Sequence, residues 1–181
     1  MVDEEGGAVW DVLQRCHARV WEFRRVYGSR WPTPGLLDAA RFACTEAAEV
    51  MDAWLRMKGY SRNTERCKSM DDEAADCALM LLTVLGDRWW TGWNDEDAFV
   101  FPLRHYRDGE WIDCLMMDAA TVLSSALMHY RHNGRGWLWQ SQAVMRGLMR
   151  IAQRPEFDLE GAIGSRLARI AVRLDGQQAA G

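Results

Sequence analysis

Proline is scarce, with four residues among 181, at positions 32, 34, 102 and 155. Most of the chain therefore lacks the residue that removes a backbone donor and stops a helix. Convincing two-residue alternation of apolar and polar side chains is missing as well, which argues against strands. The five cysteines (Cys16, Cys44, Cys67, Cys77 and Cys114) are odd in number and form no CxxC pair, so they read as reduced core thiols of a cytosolic protein. No positively charged segment leads into an apolar stretch after the acidic, glycine-containing Met1 to Gly7, and no export is expected. The longest strongly apolar run, Leu79 to Leu85, falls far short of the roughly 20 residues that span a bilayer, so no membrane helix is expected.

An excess of positive charge is also lacking. Lys plus Arg number 22 against 26 Asp plus Glu, a net charge of −4. That balance argues against broad binding to nucleic acid or to an anionic membrane. No Walker A loop, glycine-rich dinucleotide turn or nucleophile elbow occurs. None of His17, His105, His129 and His132 follows a Glu by three residues, as a carboxylate di-iron bundle would want. The one close pair, His129 and His132, reads as surface.

What remains is helical. Apolar residues recur at three- and four-residue intervals over about 8–28, 35–58, 71–87, 110–132, 138–153 and 158–174, which predicts an all-α protein. The length suits one domain over residues 1–181, or two halves sharing a core. Gly28 to Gly35, with Pro32 and Pro34 inside it, is expected to turn between the first two helices. The segment 89–109 carries Trp89, Trp90, Trp93, Phe99, Phe101 and Tyr106 and is expected to be an ordered connector packed on the helices, with a nucleobase shelf as its other role. A shift of 72 sets Thr45–Leu55 over Met117–Leu127, and a shift of 69 sets Glu73–Met80 over Gln142–Met149. These matches suggest two halves, 8–88 and 110–174.

The chemistry lies in the acids. Glu46-Ala-Ala-Glu49 places two carboxylates one turn apart and about 60° around a helix, so both reach the same point. Glu73-Ala-Ala-Asp76 repeats the arrangement on the next helix. Ala and the flanking Val50, Met51, Cys77, Leu79 and Met80 put these acids at the edge of apolar stripes, where a solvated face would interleave Lys and Arg. If the helices pack antiparallel, Glu46, Glu49, Glu73 and Asp76 converge, and hard divalent cations with oxygen ligands relieve their repulsion. Mg²⁺ is the natural cofactor, with Mn²⁺ as the alternate. Between the two motifs runs a basic connector holding Lys58, Arg62, Arg66 and Lys68, either a solvated loop or a grip for terminal phosphates.

ExxE at Glu46 and Glu49, ExxD at Glu73 and Asp76, and the apolar continuation Cys77–Leu85 together resemble the MazG family of all-α nucleotide pyrophosphohydrolases. Val20–Gly28 is similar to the first helix of phage and bacterial members, and Asp158–Ile163 to the start of their last helix. The resemblance covers residues 10–87, and more faintly 156–174. Some 70 residues intervene where members usually pass almost directly to the last helix. The second half keeps only Asp118 of the acids, with Thr121, Gln142 and Met145 at the places of Glu49, Glu73 and Asp76. The resemblance therefore implies a tandem, MazG-like bundle with one degenerate half, standing where simpler relatives use a second subunit. A homodimer stays open.

It further implies hydrolysis of a nucleoside triphosphate, a dNTP among the candidates, to monophosphate and pyrophosphate, as in cytoplasmic clean-up of the nucleotide pool. Glu46, Glu49, Glu73 and Asp76 would act as metal ligands and catalytic carboxylates. The base could stack on an aromatic such as Trp21, Trp54 or Trp89, for each of which core or connector packing is the other reading, and the roles of Arg166, Arg169 and Arg173 stay open. The rival is a non-catalytic helical module of the same descent that binds nucleotide or a protein, for which ten Trp and ten Met supply contact surface.

Overall fold

The computed structural model describes residues 4–60, 68–86, 109–131, 137–154 and 156–179. Among these residues every regular element is an α-helix. They are α1 (Glu4–Tyr27), α2 (Leu36–Met57), α3 (Met70–Leu85), α4 (Glu110–Arg131), α5 (Trp137–Ala152) and α6 (Leu159–Ala179). The periodicity thus located each helix among the described residues. The α1–α2 turn also falls where expected, closed by the amides of Arg30 and Trp31, which both donate to Tyr27 O. The last helix runs past its expected end, and Asp175 there is held from α1's end by Arg30 at 2.9 Å.

Two helical hairpins, α2 with α3 and α4 with α5, lie side by side, α2 packing on α4 and α3 on α5. α1 and α6 pack on one another and cover α3, with α1 also touching α5. One apolar cluster draws on all six helices, including Leu13, Val50, Leu82, Leu115, Leu148 and Ile163. Each such buried side chain contributes about 1.5–3 kcal/mol by leaving water. α3 lies at the centre: from Glu73 to Leu85 every residue except Met80 is buried. A helix apolar nearly all round needs neighbours on all sides, and α2, α5, α6 and α1 supply them.

Within the first hairpin the residues buried between α2 and α3 are mostly small. Ala43, Ala47 and Val50 of α2 and Ala74, Cys77 and Ala78 of α3 are fully buried. The Cys77 thiol points at Ala43 O, 3.8 Å away, and the Cys44 thiol donates to Ala119 O at 3.1 Å. Among the described cysteines Cys16 and Cys77 are buried, Cys44 and Cys114 half-buried, and all four are free. Cys67 lies outside the described residues. Burial pushes the Cys16 thiol up to about 12, so it stays protonated and inert.

α3 starts at Ser69, whose hydroxyl accepts from the Asp72 amide at 3.1 Å, an N-cap that fixes where the acidic turn begins. α4 starts after Gly109, at φ +83°, where an added Cβ would lie 2.6 Å from the Trp54 ring. Both the positive φ and the close approach demand glycine. By length and composition α4 could cross a membrane over Glu110–His129. Here it buries Ile112, Leu115, Ala119 and Val122 in the common core and carries an ion-paired aspartate, Asp118.

Candidate functional site

Along α2 and α3 the contacts run in opposite directions. Cys77 meets Ala43, Asp76 lies beside Glu46, and Glu73 lies beside Glu49. The helices are therefore antiparallel, and the two three-residue spacings bring all four acids to one place. One carboxylate oxygen each from Glu46, Glu49 and Glu73 lie within 4.8 Å of one another. Oxygen ligands stand roughly 2.0–2.6 Å from a divalent ion, so two on one ion are separated by at most about twice that. The trio fits the upper, calcium end of this limit as it stands, and around Mg²⁺, where the separation is at most about 4.2 Å, the oxygens would draw slightly closer. The Glu46 Oε2 atom is buried without a hydrogen-bond partner, the state of an acceptor awaiting a cation or donor.

The fourth acid is engaged differently. Asp76 is 3% exposed and binds a cation with each oxygen. Lys68 Nζ sits 2.8 Å from Oδ2, and Arg166 Nε pairs with Oδ1. Lys68 also bonds Glu73 Oε2 at 3.1 Å and stands 3.9 Å from Glu49 Oε2. Four carboxylates thus face two cations, which leaves a net deficit of positive charge.

Titration behaviour follows from burial first and from that deficit second. Burial foremost, then the charges of Asp76 and Glu49, pushes the Glu46 carboxyl up to about 7. Burial also raises Glu73, with Glu49 adding to the effect and Lys68 opposing it. Burial works against the Lys68 ammonium, but its bonds to Asp76 and Glu73 outweigh that and hold it more firmly protonated than a free lysine. All three shifts are upward: they favour the neutral form of Glu46 and Glu73 and the charged form of Lys68, as expected of buried carboxylates short of positive charge.

The sequence-derived substrate contacts separate. Lys68 reaches the acids but binds them instead of standing free for a phosphate. Lys58 is exposed at the end of α2, its ammonium 5.9 Å from the centre of the Trp54 ring. Arg62 and Arg66 lie outside the described residues, as do Trp89 and all of the aromatic connector but Gly109. Trp21 is half-buried on α1, and its described ring contacts, His17 and Arg24, belong to its own helix. Trp54 packs over Gly109. His129 is half-buried on α4 rather than fully on the surface, and His132 is outside the described residues.

Arg166 and Arg169 of α6 are the site residues that sequence reasoning left without a role. Arg166 closes on Asp76, and Arg169 Nη2 bonds Asp72 Oδ1 at 2.6 Å. Arg154, after α5, holds Asp71 at 2.7 Å. Only their three-residue spacing on α6 hinted that Arg166 and Arg169 share a face. In the second hairpin Asp118 is buried and accepts from Arg146 Nε at 2.7 Å and Arg150 Nε at 2.6 Å. Met145 is 1% exposed in the core, so a thioether stands where the repeat would set an acid.

Away from the acids, Arg24 is only 4% exposed. It donates to Thr83 Oγ1 at 2.8 Å and lies 4.3 Å over the Trp31 ring, tying α1 to the end of α3. Nearby His17 Nε2 donates to Gly86 O at 2.8 Å. Comparison with protein-family models, with curated proteins and with solved structures finds no match.

Proposed function

We propose that the chain is a divalent-metal-dependent nucleoside triphosphate pyrophosphohydrolase of MazG type, releasing monophosphate and pyrophosphate. The observation that carries this reading is the oxygen trio of Glu46, Glu49 and Glu73 within 4.8 Å, with Glu46 Oε2 buried and unpartnered. All donors are hard carboxylate oxygens, which suit Mg²⁺ or Mn²⁺ and do not suit a thiophilic ion. Glu46, Glu49 and Glu73 would hold the metal. Asp76 would sit behind them, fixing Lys68 and Arg166.

A divalent ion bound there supplies neutralisation of polyphosphate charge and a lowered pKa for water, as attack at phosphorus requires. The chain's own groups do the rest. Without metal the Glu46 carboxyl is pushed up to about 7, and with a cation bound there it would give up its proton and be held as the carboxylate. Arg166 Nε, its side chain 29% exposed beside Asp76, keeps a positive charge next to the site. We read α4 and α5 as a degenerate copy of α2 and α3, in which Asp118 and its two arginines replace a metal by fixed cations.

The test is a screen of ribo- and deoxyribonucleoside triphosphates with Mg²⁺ and with Mn²⁺, products resolved by ³¹P NMR. The expected outcome is metal-dependent pyrophosphate and monophosphate. Nucleotide binding without turnover would favour the non-catalytic module, and release of orthophosphate would overturn the reaction assigned.

A further inference from the structure

Lys68 is already placed where a cation belongs. Its ammonium bonds Asp76 Oδ2 and Glu73 Oε2 at 2.8 and 3.1 Å and stands 3.9 Å from Glu49 Oε2. Two of these three acids, Glu49 and Glu73, belong to the oxygen trio. A compact, positively charged group at that spot competes with any second cation for the same carboxylates and repels it at close range. Lys68 takes one oxygen of Glu73, Oε2, and a divalent ion bound through the same carboxylate would stand within a few ångströms of the ammonium, where repulsion between the two favours its departure.

Arg166 and Lys68 differ in what they could yield. The Arg166 ion pair is with Asp76, outside the trio. Lys68 spans the trio and Asp76, its side chain is 39% exposed, and it precedes the α3 cap Ser69 rather than lying inside the helix. A long, flexible side chain at a helix entrance can swing to water without disturbing the core.

We propose that Lys68 is a tethered counter-ion that occupies the acidic cluster in the metal-free protein and is expelled when a divalent cation binds. This rests on the reading that Glu46, Glu49 and Glu73 take such a cation. Lys68 thereby sets the threshold concentration at which the site loads. It also keeps the helices together when metal is scarce, because it relieves the carboxylate repulsion that would otherwise push α2 from α3.

The chain has two lysines, Lys58 and Lys68, so the proposal can be read directly. The full-length protein is acetylated with an amine-reactive ester, with and without saturating Mg²⁺, and each lysine is followed by mass spectrometry. Lys68 should be slow to react without metal and several-fold faster with it, while Lys58 keeps its rate. In parallel, Mn²⁺ binding is followed by the paramagnetic resonance of free Mn²⁺. Lys68→Met should bind Mn²⁺ about tenfold tighter, as expected for removing a competing charge, and Lys68→Arg should stay near wild type.

Mn²⁺ binding by the wild type with no gain in Lys68→Met, or acetylation of Lys68 unchanged or slowed by Mg²⁺, overturns the proposal and leaves the metal site standing. No Mn²⁺ binding by either protein removes the metal site and the proposal together. Should Lys68→Met fail to fold by circular dichroism, the acetylation of wild type decides alone.

Discussion

Arg166 of α6 and Asp76 of α3, far apart in the chain, meet in an ion pair behind the carboxylate trio. With Lys68 on its other oxygen, Asp76 is the anchor for both cations of the site. Asp76→Asn keeps the shape but leaves two cations facing a neutral amide in a nearly buried place. It should lose about 1–3 kcal/mol of stability, the cost of an impaired buried hydrogen-bonding partner. The Glu49 side chain is 46% exposed, and Glu49→Gln should change stability by no more than about 0.5 kcal/mol. Both should lose nearly all turnover. Urea unfolding and pyrophosphate release on the same samples separate the two effects.

The second hairpin should carry structure and little chemistry. Asp118 holds Arg146 and Arg150, and removing one partner from a buried charge cluster costs about 3 kcal/mol or more when the others cannot turn to water. Both arginines are partly exposed, so Asp118→Asn is expected to fall somewhat below that. Its turnover per folded molecule should stay within a few-fold of wild type, whereas Glu73→Gln should abolish it. Equal loss in both, with folding kept, would place chemistry in the second hairpin.

Packing gives a paired comparison. Leu148 is fully buried and Leu127 half-buried on α4. Leu148→Ala should destabilise by roughly 2–5 kcal/mol, the range for a cavity in a close-packed core. Leu127→Ala should cost clearly less, since less apolar surface returns to water. Chemical denaturation of the two variants side by side checks the ordering.

The acids were legible because their meaning is local: two residues three apart lie on one helix face whatever the rest of the chain does. Helix positions were legible for the same reason, since a 3.6-residue repeat reports the buried side directly. Arg166 was not, because its role depends on α6 docking against α3, a tertiary contact that no short spacing encodes. Lys68 was seen as one cation in a basic connector. That it turns inward onto Asp76 and Glu73 follows from Ser69 capping α3, which places the preceding residue over the acidic turn. Trp21 illustrates the opposite error of emphasis, an aromatic that suits stacking but whose described ring contacts lie on its own helix.

The raised Glu46 carboxyl gives a signed pH dependence. Its folded value of about 7 lies above that of an ordinary carboxylate, so between the two the folded state binds a proton that the unfolded chain releases. Without metal, stability should therefore fall as pH rises through that window, and the Glu73 shift acts in the same direction. Metal affinity should climb over the same window because the ionised carboxylate is the ligand. Denaturation midpoints in chelator between about pH 5 and about pH 8 measure the slope, which Glu46→Gln should flatten. A metal-free stability that rises with pH across this range would contradict the assignment.

A divalent-cation site at Glu46, Glu49 and Glu73 is tested most directly by thermal melting in chelator and in millimolar Mg²⁺ or Mn²⁺, for wild type and for Glu73→Gln. Binding to the folded state alone stabilises by mass action, and here it also relieves repulsion between the carboxylates. Wild type should melt several degrees higher with either ion, and Glu73→Gln should not respond. An unchanged wild-type melting temperature, or an equal rise in Glu73→Gln, would contradict the account.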